Sequence, residues 1–136
     1  MEQVKIAIAT DQEKRLTNEH FGDAKQYIVY QIDKHSIKKI GIIKNTTELE
    51  KEHEHLHGDS SKAQGIGKLM KNNNIQVLVG KVFGPNIKRM LKDFIIVLVN
   101  DENSDLAAER IRQNFDKIIE NMQNKENRQH INLRKI

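Results

Sequence analysis

The sequence predicts a three-layer α/β fold: a mixed five-stranded sheet containing an antiparallel hairpin, with helices on both faces. Three observations carry this. Val4 to Thr10 (VKIAIAT), Ile75 to Val79 (IQVLV) and Ile95 to Val99 (IIVLV) are apolar over strand length, the pattern of strands covered on both faces. Between the last two runs, Ile87, Met90, Leu91 and Phe94 share one helical face, which makes a βαβ unit with parallel strands. YIVYQI, DKHS and IKKIGII follow one another as strand, turn and strand.

Each element has its own marks. In the first strand Val4, Ile6 and Ile8 face one way and the small Ala7 and Ala9 the other. Ser61 with Gln64 has the form of a capping box, and Ala63, Ile66, Leu69 and Met70 then recur at helical spacing as far as NNN. Gly84 and Pro85 mark the start of the middle helix. Ser104 is placed to cap the last helix, whose stripe is Ala108, Ile111, Phe115, Ile118 and Met122. Residues 45–60 are polar almost without relief, the best candidate for a mobile loop. The expected organisation is one domain over 1–122 and a basic tail over 123–136.

Composition narrows the function. A chain of 136 residues suits one domain, and 37% hydrophobic against 31% charged residues allows one modest aliphatic core. No apolar run approaches the ~20 residues that span a bilayer, and the first residues lead into a strand instead of a signal peptide, so the expected place is the cytoplasm. With no cysteine, disulfides, thiolate zinc sites, thiol nucleophiles and cysteine-ligated clusters are excluded, and any metal must use His, Asp or Glu. The net charge of +4 suits an anionic partner, but part of the excess lies in the tail, at Arg128, Arg134 and Lys135, where a solvated terminus is the ordinary reading.

Several constellations could carry chemistry. His20 in EHFG could project into a cleft beyond the end of strand one, although a loop histidine bonded to nearby backbone fits the same pattern. Gly80 to Asn86 joins a strand to a helix start, where free N–H groups and Lys81 favour an anion; an ordinary βα turn has the same residues. His53, His55 and His57 share a face if extended, and imidazoles suit zinc, copper, nickel and iron; a charge-rich solvated loop is the bland alternative. Gly65-Ile66-Gly67-Lys68 lacks the earlier glycine and following Ser or Thr of a phosphate loop, which discards nucleotide hydrolysis. Asp11, Asp101 and Asp105 could hold magnesium at strand ends, but nothing local specifies this and solvated surface is the expected reading.

The order of these pieces is itself informative. KIAIATD, then EHFGDAKQYIVYQID, a His-bearing loop, a helix, VLVGKVFGPNIKRML and FIIVLV together resemble the dinitrogenase iron-molybdenum cofactor biosynthesis family, over roughly Lys5 to Ile119. The resemblance implies a ribonuclease-H-like fold with strand order 3-2-1-4-5 and a non-enzymatic carrier or accessory role. His20, Phe21, Gly22, Lys81, Gly84, Pro85 and Asn86 then become the expected cofactor-binding residues, and His20, His53, His55 and His57 the expected metal ligands. The cargo would be an iron-molybdenum or iron-sulfur cluster precursor, or alternatively a single transition-metal ion such as zinc. A cofactor-assembly or recipient protein is the expected partner, no membrane is expected, and a homo-oligomer is left open. The chain departs from the pattern at Lys81 and Val82, where relatives often have a glycine pair, and in the tail, where Ile131, Leu133 and Ile136 alternate as if for an added strand or a subunit contact. The alternative function is a protein- or nucleic-acid-interaction module using the basic surface and tail.

Overall fold

The computed structural model describes residues 2–45, 59–85 and 87–135, with side chains except at 59–64, 87 and 88. The strands are β1 (Val4–Thr10), β2 (Gln26–Ile32), β3 (Ile37–Lys44), β4 (Val77–Gly80), β5 (Ile95–Leu98) and β6 (Ile131–Asn132). The helices are α1 (Asp59–Asn72), α2 (Ile87–Met90), α3 (Ser104–Gln113) and α4 (Phe115–Gln123). They form one mixed sheet of order β3-β2-β1-β4-β5-β6, antiparallel through β1, β2 and β3 and parallel from β1 to β6.

β1 lies inside the sheet, and its alternation divides the core. Val4, Ile6 and Ile8 pack with Ala107, Ala108, Ile111, Phe115 and Ile118 of α3 and α4. Ala7 and Ala9 pack on the opposite face with Phe21, Tyr27, Phe94 and, from α1, Ile66 and Met70. Small side chains on β1 leave room there for large aromatic ones, at the density interiors require.

The hairpin forms where expected. Asp33 ties its turn, accepting from the His35 and Ser36 amides at 2.8 and 2.7 Å and from the Ser36 hydroxyl at 2.9 Å. β3 is an outer strand, irregular where Val29 pairs Gly41 and Tyr30 pairs Lys39, and it exposes Lys38, Lys39 and Lys44. A bulge and lysines are common protections of a sheet edge.

Several expectations need correction. Among the described residues the sheet has six strands, because the alternating tail supplies β6: Ile131 is buried against the core and the Leu133 amide donates to the Leu98 carbonyl at 2.8 Å. The expected order 3-2-1-4-5 is contained in the observed one. α1 begins at Asp59, inside the segment expected to be loop, while residues 46–58 and the capping box side chains lie outside the described residues. α2 is a single turn, since the preceding stretch runs extended to pair Val82 with His20. The long last helix breaks at Asn114, whose side-chain amide donates to the Arg110 carbonyl at 2.9 Å and competes with the helical ladder. Asn103, not Ser104, is the N-cap, accepting from the Leu106 amide at 2.9 Å. Buried Ser104 instead bonds the Tyr30 hydroxyl at 2.8 Å.

Nor is the tail simply solvated. Arg128 donates to the carbonyls of Leu91, Met122 and Asn121 at 3.1, 3.0 and 3.4 Å, and Asn100 and Lys135 exchange two hydrogen bonds of 3.0 and 2.8 Å. Asp101, 3% exposed, receives Arg110 through both carboxylate oxygens at 2.9 to 3.2 Å.

Arg110→Ala leaves that carboxylate buried without its bidentate partner and should destabilise the fold by about 3 kcal/mol, measured by denaturant unfolding at neutral pH. Asp33 titrates below the ordinary carboxylate range, chiefly because the His35 amide, then the Ser36 hydroxyl, bond its charged form. A depressed folded value means stabilisation that is present above the unfolded value and lost as pH falls through the folded one. Asp33→Asn should therefore flatten the acid limb of the stability profile between about pH 5 and pH 1.

Candidate functional site

The site begins where β1 and β4 end side by side. Small residues meet near both strand ends: a Cβ built at Gly80 would stand 3.6 Å from the Ala9 Cβ, 3.5 Å from the Phe21 ring and 3.6 Å from the Phe83 ring. Those two rings stack over the strand ends, with centroids 5.0 Å apart and planes 8° apart, and Tyr27 packs on Phe21 at 4.8 Å.

Beyond β1, Asp11 closes a turn by accepting from the Glu13 and Arg15 amides at 2.8 and 3.2 Å. The chain returns through buried Leu16 and the Thr17 amide, which donates to the Ala9 carbonyl at 3.3 Å. His20 then forms a parallel bridge with Val82, and the Phe21 amide donates to the Val82 carbonyl at 2.8 Å. Phe21–Asp23 is a short 3-10 turn. It is held by the Tyr27 hydroxyl, donating to the Phe21 carbonyl at 2.6 Å, and by the Asn45 amide, donating to the carbonyls of Gly22 and Ala24 at 2.9 and 2.8 Å. Bonds from Val82, Tyr27 and Asn45 thus fix the backbone that follows His20.

His20 itself is exposed, with its imidazole against Gly84: a Cβ at Gly84 would lie 3.3 Å from His20 Nδ1. No hydrogen bond or ion pair to a described residue engages the ring. Lys81, half-buried, extends to the Asn18 side-chain carbonyl at 3.1 Å. The structure therefore brings His20 and Gly84 together, with Lys81 close along the chain.

The remaining expected residues fall differently. Phe21, expected to contact a cofactor, is 1% exposed, and its ring supports the turn from beneath. Gly22 contributes a carbonyl to Asn45, and Pro85 is exposed beside Gly84. Asn86, His53, His55 and His57 lie outside the described residues. The anion site expected from the dipole of the middle helix has only one turn of aligned peptides behind it. Asp11, Asp101 and Asp105 do not converge: they bond Arg15, Arg110 and Tyr30 respectively, and no group of three metal-ligating side chains occurs among the described residues. Asp101 is also buried, which corrects its reading as solvated surface. Tyr27, Asn45 and Phe83 were missed as supports, because only tertiary contacts distinguish them from ordinary strand and loop residues.

The chain is a small α/β domain whose exposed His20, at the strand ends, has no side-chain hydrogen bond or ion pair to a described residue. The family model described as dinitrogenase iron-molybdenum cofactor matches residues 2–117, and the chain belongs to that family. No curated protein matches the chain.

Two glycines of the site should respond differently to alanine. Gly84→Ala requires His20 to give by a few tenths of an ångström, so the His20 ring resonances should move while stability changes by no more than about 0.5 kcal/mol. Gly80→Ala adds a methyl at ordinary contact distance and should leave the ring unmoved; NMR of the two variants makes the comparison.

Proposed function

We propose that the protein is a non-enzymatic carrier that holds an iron-molybdenum or iron-sulfur cluster precursor through the imidazole of His20. The observation behind this is an exposed imidazole, unengaged by any described residue, beside a turn that three sets of hydrogen bonds hold in place. The residues suit such a cargo. A cluster brings its own bridging ligands and can be held by few protein donors, whereas a mononuclear zinc site needs three or four. Gly84 leaves the space beside the ring that a side chain would crowd. Lys81 supplies positive charge toward an anionic metal-sulfur species.

Within this proposal the partner is a cofactor-assembly or recipient protein, the setting is the cytoplasm, and the fold is kin to ribonuclease-H-like domains. Among the described residues no helix is long and apolar enough to cross a membrane.

The test is anaerobic gel filtration of untagged protein mixed with an iron-molybdenum-sulfur cofactor or, separately, with zinc, followed by elemental analysis of the protein peak. Cluster metals should elute with the wild type and be lost from His20→Ala, while a variant with alanine at His53, His55 and His57 keeps at least part of them. Equal retention by His20→Ala overturns the assignment. Zinc retained by the wild type and lost only in the triple variant would move the function to the histidine segment.

A further inference from the structure

A second region of the molecule gathers positive charge far from His20. Leu91 and Lys92 precede the start of β5, whereas Lys81 to Gly84 follow the end of its parallel neighbour β4, so the two regions lie at opposite ends of the sheet. Leu91 and Lys92 meet the chain that follows α4, and together they bound an open pocket of about 530 Å³ lined also by Lys125, Glu126, Arg128 and His130. That volume is within the range of small-ligand sites.

The pocket's charge is unbalanced. Lys92, Lys125 and Arg128 face a single lining carboxylate, Glu126, and neither Lys92 nor Lys125 has an ion-pair partner among the described residues. Arg128 is half-buried, yet the groups it bonds are carbonyls, and the nearby Asp93 is engaged by Lys71 at 3.1 Å. Burial pulls its guanidinium below the usual arginine range, only partly opposed by Asp93. A guanidinium has five N–H donors in a planar fork, and three contacts to carbonyls leave donors over. Lys125, Arg128 and His130 also lie beyond residues 2–117, outside the part of the chain that the family model matches.

We propose that this pocket binds a small organic oxyanion, a phosphate or a carboxylate, between Lys92, Lys125 and Arg128, with the His130 imidazole as a further donor and Leu91 as an apolar wall. Charge-assisted bonds to a planar fork and two ammonium groups are the chemistry that recognises such a group. The site is separate from His20 and does not depend on the carrier reading.

The test titrates the isotope-labelled full chain with inorganic phosphate and, separately, with succinate, followed by NMR, with chloride at matched ionic strength as control. Saturable shifts at Leu91, Lys92 and residues 125–130 are expected with at least one oxyanion, and which one responds identifies the source. The double variant Lys92→Ala, Lys125→Ala removes exposed side chains that hold nothing in the fold, so it should unfold like the wild type and bind at least ~10-fold more weakly. Arg128→Gln, accepted only where β6 resonances stay in place, should do the same, and His20→Ala should bind as the wild type does. Shifts that fail to saturate, that chloride reproduces, or that survive undiminished in the double variant overturn the proposal.

Discussion

Both faces of β1 are buried, and its side chains decide how much room each layer has. Valine and isoleucine fill one side up to α3 and α4, and alanine on the other leaves a shallow floor that only large side chains can fill. Phe21, Tyr27 and Phe94 do so. A larger residue at Ala9 would displace Phe21, and overpacking of this kind costs roughly 1 to 3 kcal/mol. Because Phe21 immediately follows His20, the geometry of the site depends on the smallness of a residue more than ten positions earlier.

The same floor explains how an exposed histidine can be well oriented without a side-chain partner among the described residues. Its backbone is pinned to Val82 on one side and continues into the 3-10 turn on the other, while the stacked pair Phe21 and Phe83 anchors both segments to the strand ends. Rigidity resides in the backbone and availability in the ring.

The parts legible in the sequence were those with strong local periodicity: the continuous apolar strands, the hairpin with its Asp-containing turn, and the one-sided stripe from Ala108 to Phe115 and Ile118. The HFG motif was legible as a motif, but the inward role of Phe21 was not, because burial depends on Ala9 and Gly80 meeting across two strands. The stripe passes through Asn114 without interruption, so apolar spacing could not reveal the break that its side-chain amide makes. Ser104 and Asn103 are both good caps; Tyr30, distant in sequence, decides between them by engaging the serine. The tail was ambiguous for a similar reason, since alternation shows that a strand is available and not what it pairs with.

The pairing of β6 with β5 also has a temporal side. A chain grows from its amino end, so Val97 and Leu98 are synthesised more than thirty residues before Ile131 and Asn132, their partners in the sheet. During that interval β5 is the outermost strand and its backbone groups on that side have no neighbour. Nascent chains with an open apolar edge are the ones that associate wrongly or engage chaperones.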